Sequence, residues 1–338
     1  MKPFRVVVVG AGRVGTALAV ALADAPGIST LLVDGVPEAV DAAERLGFRA
    51  KVCDVLAEAE LTAILRGGDA VVAAVPEFLV APVAAVAARV GIHHIDFCEP
   101  GSTGLARREA SADAPAVLPG SGVSPGLVDD LVEDLLSRFE RVEDLVVRVG
   151  AIPREPIGRL GYGDIWDVNG LIREYTRPAE TVVDGRPVHV PPLGGHETFE
   201  WDGRTFEAFV TADGSRSLMD LCRGRVADAT FKTIRHPGHL DHMLFLLDEL
   251  GLRSRLDMLA NLLRNALPHV EEDMVLIHAT ARGLVDGTAT AQTIVHEIAS
   301  APATADLPAT SALARGAAAY AKQQLLRLSE TRSPESAR

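Results

Sequence analysis

Two clusters of residues in this chain have types and spacings that suit chemistry. The first is Gly10-Ala11-Gly12-Arg13-Val14-Gly15, a G-x-G-x-x-G that follows the apolar run Phe4 to Val9. Gly10 permits a tight turn, Gly12 lets the backbone approach a pyrophosphate, and Gly15 lets the following helix pack close to the strand. That helix N-terminus faces phosphate charge. Asp34 closes the next apolar run, Ser29 to Val33. A carboxylate there accepts hydrogen bonds from ribose hydroxyls and repels a 2′-phosphate, so NAD rather than NADP is the expected cofactor. Arg13 lies in the turn and is expected at the pyrophosphate. Asp54 stands where a third strand end passes the adenine; it bonds the adenine amine or caps the next helix. Ala74-Val75-Pro76 are small enough to leave room beside the nicotinamide ribose.

The second cluster is Phe231-Lys232-Thr233-Ile234-Arg235-His236-Pro237-Gly238-His239. It lies where a strand ends and a helix is expected to begin at Pro237. Lys232, Arg235 and His239 together need anionic partners if buried. A helix N-terminus disfavours free cations, which points to a bound anion there. Arg235 suits bidentate carboxylate binding, with Thr233 beside it, and His239 suits proton transfer near neutral pH. His236 and His239 have no third or fourth ligand in view, so no metal site is expected. His93 and His94 read as flanking a buried strand. Between the clusters, Gly120-Ser121-Gly122-Val123-Ser124-Pro125-Gly126-Leu127 follows a strand. Ser124 is a natural N-cap and Pro125 a natural first helical residue. Gly122, Val123 and Ser124 are expected to touch substrate or nicotinamide.

The elements that must position these residues can be read from periodicity. Strands are expected at Phe4–Val9, Ser29–Val33, Ala50–Asp54, Ala70–Pro76, Ile92–Phe97 and Ala116–Pro119. Helical patterns lie between them, at residues 14–25, 36–46, 55–65 and 79–90, and from Ser102 to about Ala112. Such alternation gives an α/β fold, a Rossmann doubly wound parallel sheet with its site at the strand C-terminal ends. From about Arg141 the pattern changes to an inserted α+β second domain. Strands there are expected at 145–150, 206–211, 229–234, 274–281 and 288–296, with D-G hairpin turns at Asp184-Gly185 and Asp286-Gly287. Helices are expected at 238–250 and 255–267. The expected organisation is a dinucleotide-binding domain at 1–125 and a substrate and dimerisation domain at 126–305. A C-terminal helix within 306–328 returns to the first domain, and 329–338 form a flexible tail.

The chain has 338 residues, 48% of them hydrophobic, enough for one large or two moderate cores. Its net charge of −13 and lack of a basic block exclude nucleic acid as an expected partner. Three cysteines without metal-type spacing fit a reducing compartment. No segment reads as a membrane span or signal peptide, so a cytoplasmic protein with no membrane partner is expected.

The stretches VVVVGAGRVG, GSGVSPGLVDDL, WDVNGLIREY and above all FKTIRHPGH resemble the saccharopine dehydrogenase-like family, closest to lysine 6-dehydrogenase. The resemblance spans both domains. It implies a Rossmann domain plus an α+β domain that carries dimer contacts and closes over a small amino-acid substrate, in a homodimer or tetramer. It also implies NAD-dependent oxidation of an amine carbon to an imine, which water opens to an aldehyde. Gly120-Ser121-Gly122 stands where close relatives often carry Asp-Cys-Gly, and Asp96-Phe97-Cys98-Glu99 where a glycine-rich strand end is commoner.

Hydride leaves only from the carbon of a neutral amine, so an ammonium substrate needs a base. Lys232, His239 and Asp96 are the candidates. Arg173 or Arg235 is expected to hold a substrate α-carboxylate, and Glu99 or Glu174 an α-ammonium, with Trp166 in the same stretch as Arg173. Three other readings stay open: a saccharopine-type substrate, a homospermidine-synthase-like transferase that reduces and reoxidises NAD within one turnover, and a non-catalytic NAD sensor.

Overall fold

A computed structural model describes residues 2–111, 114–212 and 216–331. The chain forms two units. The first takes Met1–Leu127, Ala303–Thr310 and Ala314–Arg338, and the second takes Val128–Pro302 and Ser311–Leu313.

In the first unit, strand β1 (Phe4–Val9) leads through the glycine turn into helix α1 (Arg13–Ala23). There follow β2 (Ile28–Asp34), α2 (Pro37–Arg45), β3 (Ala50–Val52), α3 (Glu58–Leu65), β4 (Ala70–Ala73), α4 (Glu77–Val90), β5 (His93–Asp96) and β6 (Val117–Leu118). All six strands run parallel in the order β3-β2-β1-β4-β5-β6. Strand order reverses between β1 and β4, which opens the crevice where dinucleotides bind in such sheets. The valines of β1 alternate between two cores. Val6 and Val8 pack with α1 and with the C-terminal helix through Ala314, Ala318, Ala321 and Leu325. Val7 and Val9 pack on the other face with Leu61 and Leu65 of α3 and Val80 and Val83 of α4. Burial on both faces explains the unbroken apolar run.

Three expectations about this unit are corrected. No helix spans Ser102 to Ser111. Gly101 and Gly104 take positive φ, and Arg108 pairs with Val117 across the chain instead. Ala112, the expected end of that helix, lies outside the described residues. Ser124 does not cap a helix, and Pro125 is not its first residue. Gly126 sits at φ +123°, outside helical space, with Gly122 N–H donating to Pro125 O and Leu127 N–H to Gly122 O. Helix α5 (Leu127–Leu136) therefore begins after that turn. Asp54 is not an N-cap either. Its Oδ1 accepts from Leu56 N–H in an Asx turn, and α3 starts beyond it.

The second unit is a mixed sheet with helices on one face. Its elements are β7 (Arg141–Pro153), α6 (Val168–Thr176), β8 (Ala179–Val183), β9 (Arg186–Val190), β10 (Glu197–Trp201), β11 (Arg204–Val210), α7 (Arg216–Cys222) and β12 (Val226–Arg235). They continue with α8 (His239–Leu244), which runs on through one π-helical turn to Glu249, then α9 (Leu256–Ala266), β13 (Asp273–Val285) and β14 (Thr288–Ala299). The strand order is β10-β11-β12-β7-β13-β14, with the β8–β9 hairpin attached to β12. Helices α6, α8 and α9 bury Leu171, Tyr175, Leu240, Leu259 and Leu263 against Phe209 on one face. Phe206, Ile234, Met274 and Leu276 pack on the other. The helix expected at Pro237 starts at His239, because Gly238 holds φ +92°. Helix α10 (Ala312–Glu330) closes the described chain. Residues 329 and 330, expected in a flexible tail, are its last turn; residues 332–338 of that tail lie outside the described residues.

Candidate functional site

In the first unit the expected cofactor residues meet at one edge of one sheet. Gly10, Ala11, Gly12, Arg13, Val14 and Gly15 follow β1; Asp34 ends β2; Asp54 follows β3; Ala74, Val75 and Pro76 follow β4; Gly122 follows β6. Parallel strands put all these ends on the same side. The glycines separate into two roles. A Cβ on Gly10 would stand 2.2 Å from Ala74 O, and one on Gly15 would stand 1.8 Å from Gly10 O. Those two glycines let the turn, the helix and the β4 loop pack together. A Cβ on Gly12 meets no protein atom within 4 Å. Packing does not explain Gly12, whereas close approach of a pyrophosphate does. The first turn of α1 carries no acidic residue, and its N-cap, Gly12, makes no side-chain hydrogen bond. Asp34 Oδ2 accepts from Ala11 N–H at 2.7 Å and Oδ1 from Val36 N–H at 2.9 Å. The carboxylate is thereby fixed against the glycine turn. These residues fit a nicotinamide dinucleotide.

Asp96 lies at the end of β5, completely buried. Its Oδ2 is 3.0 Å from His94 Nε2, and its Oδ1 accepts from Cys98 N–H at 2.9 Å. His93, also expected only to flank the strand, uses Nδ1 to accept from Ala116 N–H. Glu99 is half-buried in the following turn; Val123 is buried and Ser124 half-buried in the β6 loop.

In the second unit the FKTIRHPGH stretch divides by strand alternation. Thr233 and Arg235 point to the helix-covered face and are buried. Arg235 Nε donates to Tyr175 Oη at 2.7 Å, and its Nη2 lies 3.4 Å from Glu174 Oε2. Its guanidinium carbon sits 4.9 Å from the Tyr162 ring centre and 5.7 Å from that of Tyr175. His239 is fully buried. Its Nδ1 is 2.9 Å from Leu160 O and its Nε2 2.9 Å from Tyr175 Oη. A carbonyl only accepts, so Nδ1 carries the proton and Nε2 accepts from the tyrosine. A chain of donors results: Arg235 to Tyr175 to His239 to Leu160. Burial, reinforced by the Arg235 charge, pushes the imidazole down to about 3. Burial likewise lifts Tyr162 to about 12 and Tyr175 further. With both nitrogens engaged and no exposed surface, His239 is built as a structural acceptor and not as a proton shuttle.

The anion expected at the helix start is the protein's own. Glu207, buried on β11, accepts from Gly238 N–H at 3.0 Å and Leu240 N–H at 2.7 Å. His196 stands 3.3 Å from the same carboxylate. His236 Nε2 bonds Pro153 O, and burial lowers its pKa. Among the described residues no group of three or more potential metal ligands occurs.

Lys232 points to the opposite face and retains some exposure. Its Nζ donates to Gly195 O at 2.7 Å and lies 2.9 Å from Glu197 Oε1. Arg148 grips the same carboxylate through Nε at 2.8 Å and Nη2 at 3.1 Å. Burial raises Glu197, but the hydrogen bonds from Arg148 and Lys232 outweigh it and hold the carboxyl below its usual range. Trp166 lies over Gly170, where an added Cβ would come 2.4 Å from the indole. Arg173 is half-buried on α6, whose N-cap is Asp167.

Sequence reasoning did not find Tyr162, Tyr175, Arg148, Glu197 or Glu207. Glu207 left one signal, an acid inside the apolar run Phe206 to Val210. Arg148 left a similar one inside the valine run of β7.

Residues 6–118 match the family model for the saccharopine dehydrogenase NADP binding domain, and residues 122–327 match that for the saccharopine dehydrogenase C-terminal domain. The fold is similar to that of saccharopine dehydrogenase (L-Glu forming) from Saccharomyces cerevisiae, with a TM-score of 0.79 and 16% identity over 98% of this chain and 92% of that one. A looser likeness, with a TM-score of 0.47 and 12% identity over 98% and 90%, links it to a probable dehydrogenase from Thermotoga maritima. Among the described residues no helix is long and apolar enough to cross a membrane. With a dinucleotide-binding unit built on the glycine turn and a second unit matching over its whole length, this chain belongs to the saccharopine dehydrogenase-like family of oxidoreductases.

Proposed function

We propose that the protein is an NAD-dependent amino acid dehydrogenase that oxidises the side-chain amine of L-lysine or a related diamino acid. The observation that carries the cofactor choice is Asp34, held against the glycine turn by Ala11 N–H and Val36 N–H. A 2′-phosphate beside that carboxylate meets like charge, whereas ribose hydroxyls find an acceptor. Bound NAD supplies the hydride acceptor. The substrate loses one proton from nitrogen and a hydride from the adjacent carbon to give an imine; water then opens the imine to a semialdehyde and ammonia. The resemblance to lysine 6-dehydrogenase in FKTIRHPGH supports the choice of amine. Of the three titratable candidates, Asp96 and His239 are completely buried, while Lys232 keeps 12% of its side chain exposed. The same resemblance favours a homodimer or tetramer, and three cysteines without metal-type spacing support a reducing, cytoplasmic compartment.

The test mixes purified protein and NAD in turn with L-lysine, ornithine, diaminobutyrate, saccharopine and diamines, and follows absorbance of NADH. A rise with one diamino acid is expected. A rise with saccharopine alone transfers the activity to a secondary amine. Tight NAD binding without NADH from any amine overturns the proposal in favour of internal redox transfer or sensing.

A further inference from the structure

Lys232, Arg148 and His278 occupy one row across the second unit's sheet. Lys232 on β12 is paired in register with Arg148 on β7, and Arg148 with His278 on β13. All three lie on the face opposite the helices. Glu197 takes hydrogen bonds from Arg148 Nε and Nη2 and pairs with Lys232 Nζ. Arg148 Nη1 stands 3.4 Å from His278 Nδ1. A guanidinium only donates, so His278 accepts at Nδ1 and carries its proton on Nε2. Phe199 walls the row, its ring centre 5.6 Å from the Arg148 guanidinium carbon and 5.2 Å from the His278 ring centre.

The charges do not balance. Two cations share one carboxylate, and the side chains of Arg148 and Lys232 are only 11% and 12% exposed. Among the described residues no second acid pairs with either cation. One positive charge is therefore held largely out of water, which is unfavourable without an anion. Donors remain to receive one: the third N–H of Lys232, the unused N–H groups of Arg148, and Nε2–H of His278. The planar fork of Arg148 matches a carboxylate in shape.

We propose that this row binds a small carboxylate. The carboxylate is either the α-carboxylate of the amino-acid substrate, in which case the inference rests on the function proposed above, or that of a free acid. Of the two sequence-based choices for this role, Arg173 and Arg235, the second is enclosed between Tyr162 and Tyr175 and is not available to it.

The test is titration calorimetry on the full chain with propionate (a carboxylate alone), L-lysine, and cadaverine (the diamine without a carboxylate), all with NAD present. Glu197→Gln raises the excess charge from one to two, and is expected to tighten propionate binding about tenfold. Arg148→Met is expected to weaken it at least tenfold. A gain in affinity cannot come from misfolding, so the Glu197→Gln arm stands even where Arg148→Met fails to fold. If L-lysine follows propionate in both variants while cadaverine does not, the carboxylate is the substrate's. If propionate responds and L-lysine does not, it is that of a free acid. Propionate affinity unchanged in Glu197→Gln, or no propionate binding to either protein, overturns the site. Propionate binding requires no NADH formation, so failure here and failure of the proposed function are separately visible.

Discussion

Tyr175→Phe removes one oxygen from the most enclosed polar network in the protein. Tyr175 is completely buried, and its hydroxyl both accepts from Arg235 Nε at 2.7 Å and donates to His239 Nε2 at 2.9 Å. The phenyl ring keeps its place against Phe209, so no large cavity forms. The cost is electrostatic. Arg235 loses its best-placed acceptor while keeping Ile234 O at 2.8 Å and Glu174 at 3.4 Å. His239 loses the hydroxyl that donates to Nε2. A buried group left unsatisfied costs about 1–3 kcal/mol, with charged groups toward the upper end. The sum is about 3–5 kcal/mol, a fall in Tm of about 10 °C for a unit of this size. Urea and thermal unfolding, each followed by circular dichroism, measure it. A loss below about 1 kcal/mol would refute the network as a structural hub. Unchanged stability with a displaced pH–rate profile would restore His239 to catalysis.

The two glycines that differ in surroundings should differ in effect. Gly15→Ala puts a Cβ 1.8 Å from Gly10 O and is expected to cost about 3 kcal/mol or more. Gly12→Ala meets no protein atom, so stability should hold within about 1 kcal/mol while NAD binding weakens at least tenfold; equal NAD affinity would remove the pyrophosphate from this turn. Asp34→Asn should narrow the preference for NAD over NADP. Two unit charges about 4 Å apart interact by about 1–4 kcal/mol in surroundings between water and protein surface, so at least about a fivefold shift in relative affinity is expected. Acid should destabilise the second unit. The unfolded chain protonates His239 below about 6.5, and the folded chain not until about 3. That contribution to stability is complete above about pH 6.5 and declines on acidification, by up to about 1.4 kcal/mol per pH unit in between. His239→Gln should flatten the slope of Tm against pH in that window.

What was legible in the sequence was local. The turn from β1 to α1 is set by adjacent residues, as are the hairpins at Asp184-Gly185 and Asp286-Gly287, where positive φ falls on Asp and Gly as the turn type demands. A third such turn, Asp202-Gly203, joins β10 to β11; the run before it, Glu197-Thr198-Phe199-Glu200-Trp201, carries two acids and no β-branched apolar residue, so it does not read as a strand. The helix expected from Ser102 to about Ala112 shows the reverse error. Its composition allows a helix, but the pairing of Arg108 with Val117 decides otherwise. The functional residues of the second unit depend on register between distant strands. Nothing near Gly238 in sequence names Glu207 as its anion. Nothing near Lys232 names Arg148, which reaches it by parallel pairing of β7 with β12. Charge imbalance within FKTIRHPGH was readable; the identity of its partners was not.

The central claim is hydride transfer from an amine-bearing carbon to NAD. Its most direct test incubates the protein with NAD and L-lysine carrying deuterium on the ε-carbon, and weighs the reduced cofactor. The expected result is NADH one mass unit heavier, formed together with free ammonia. NADH without deuterium, or no reduced cofactor from an enzyme that binds NAD, would contradict it.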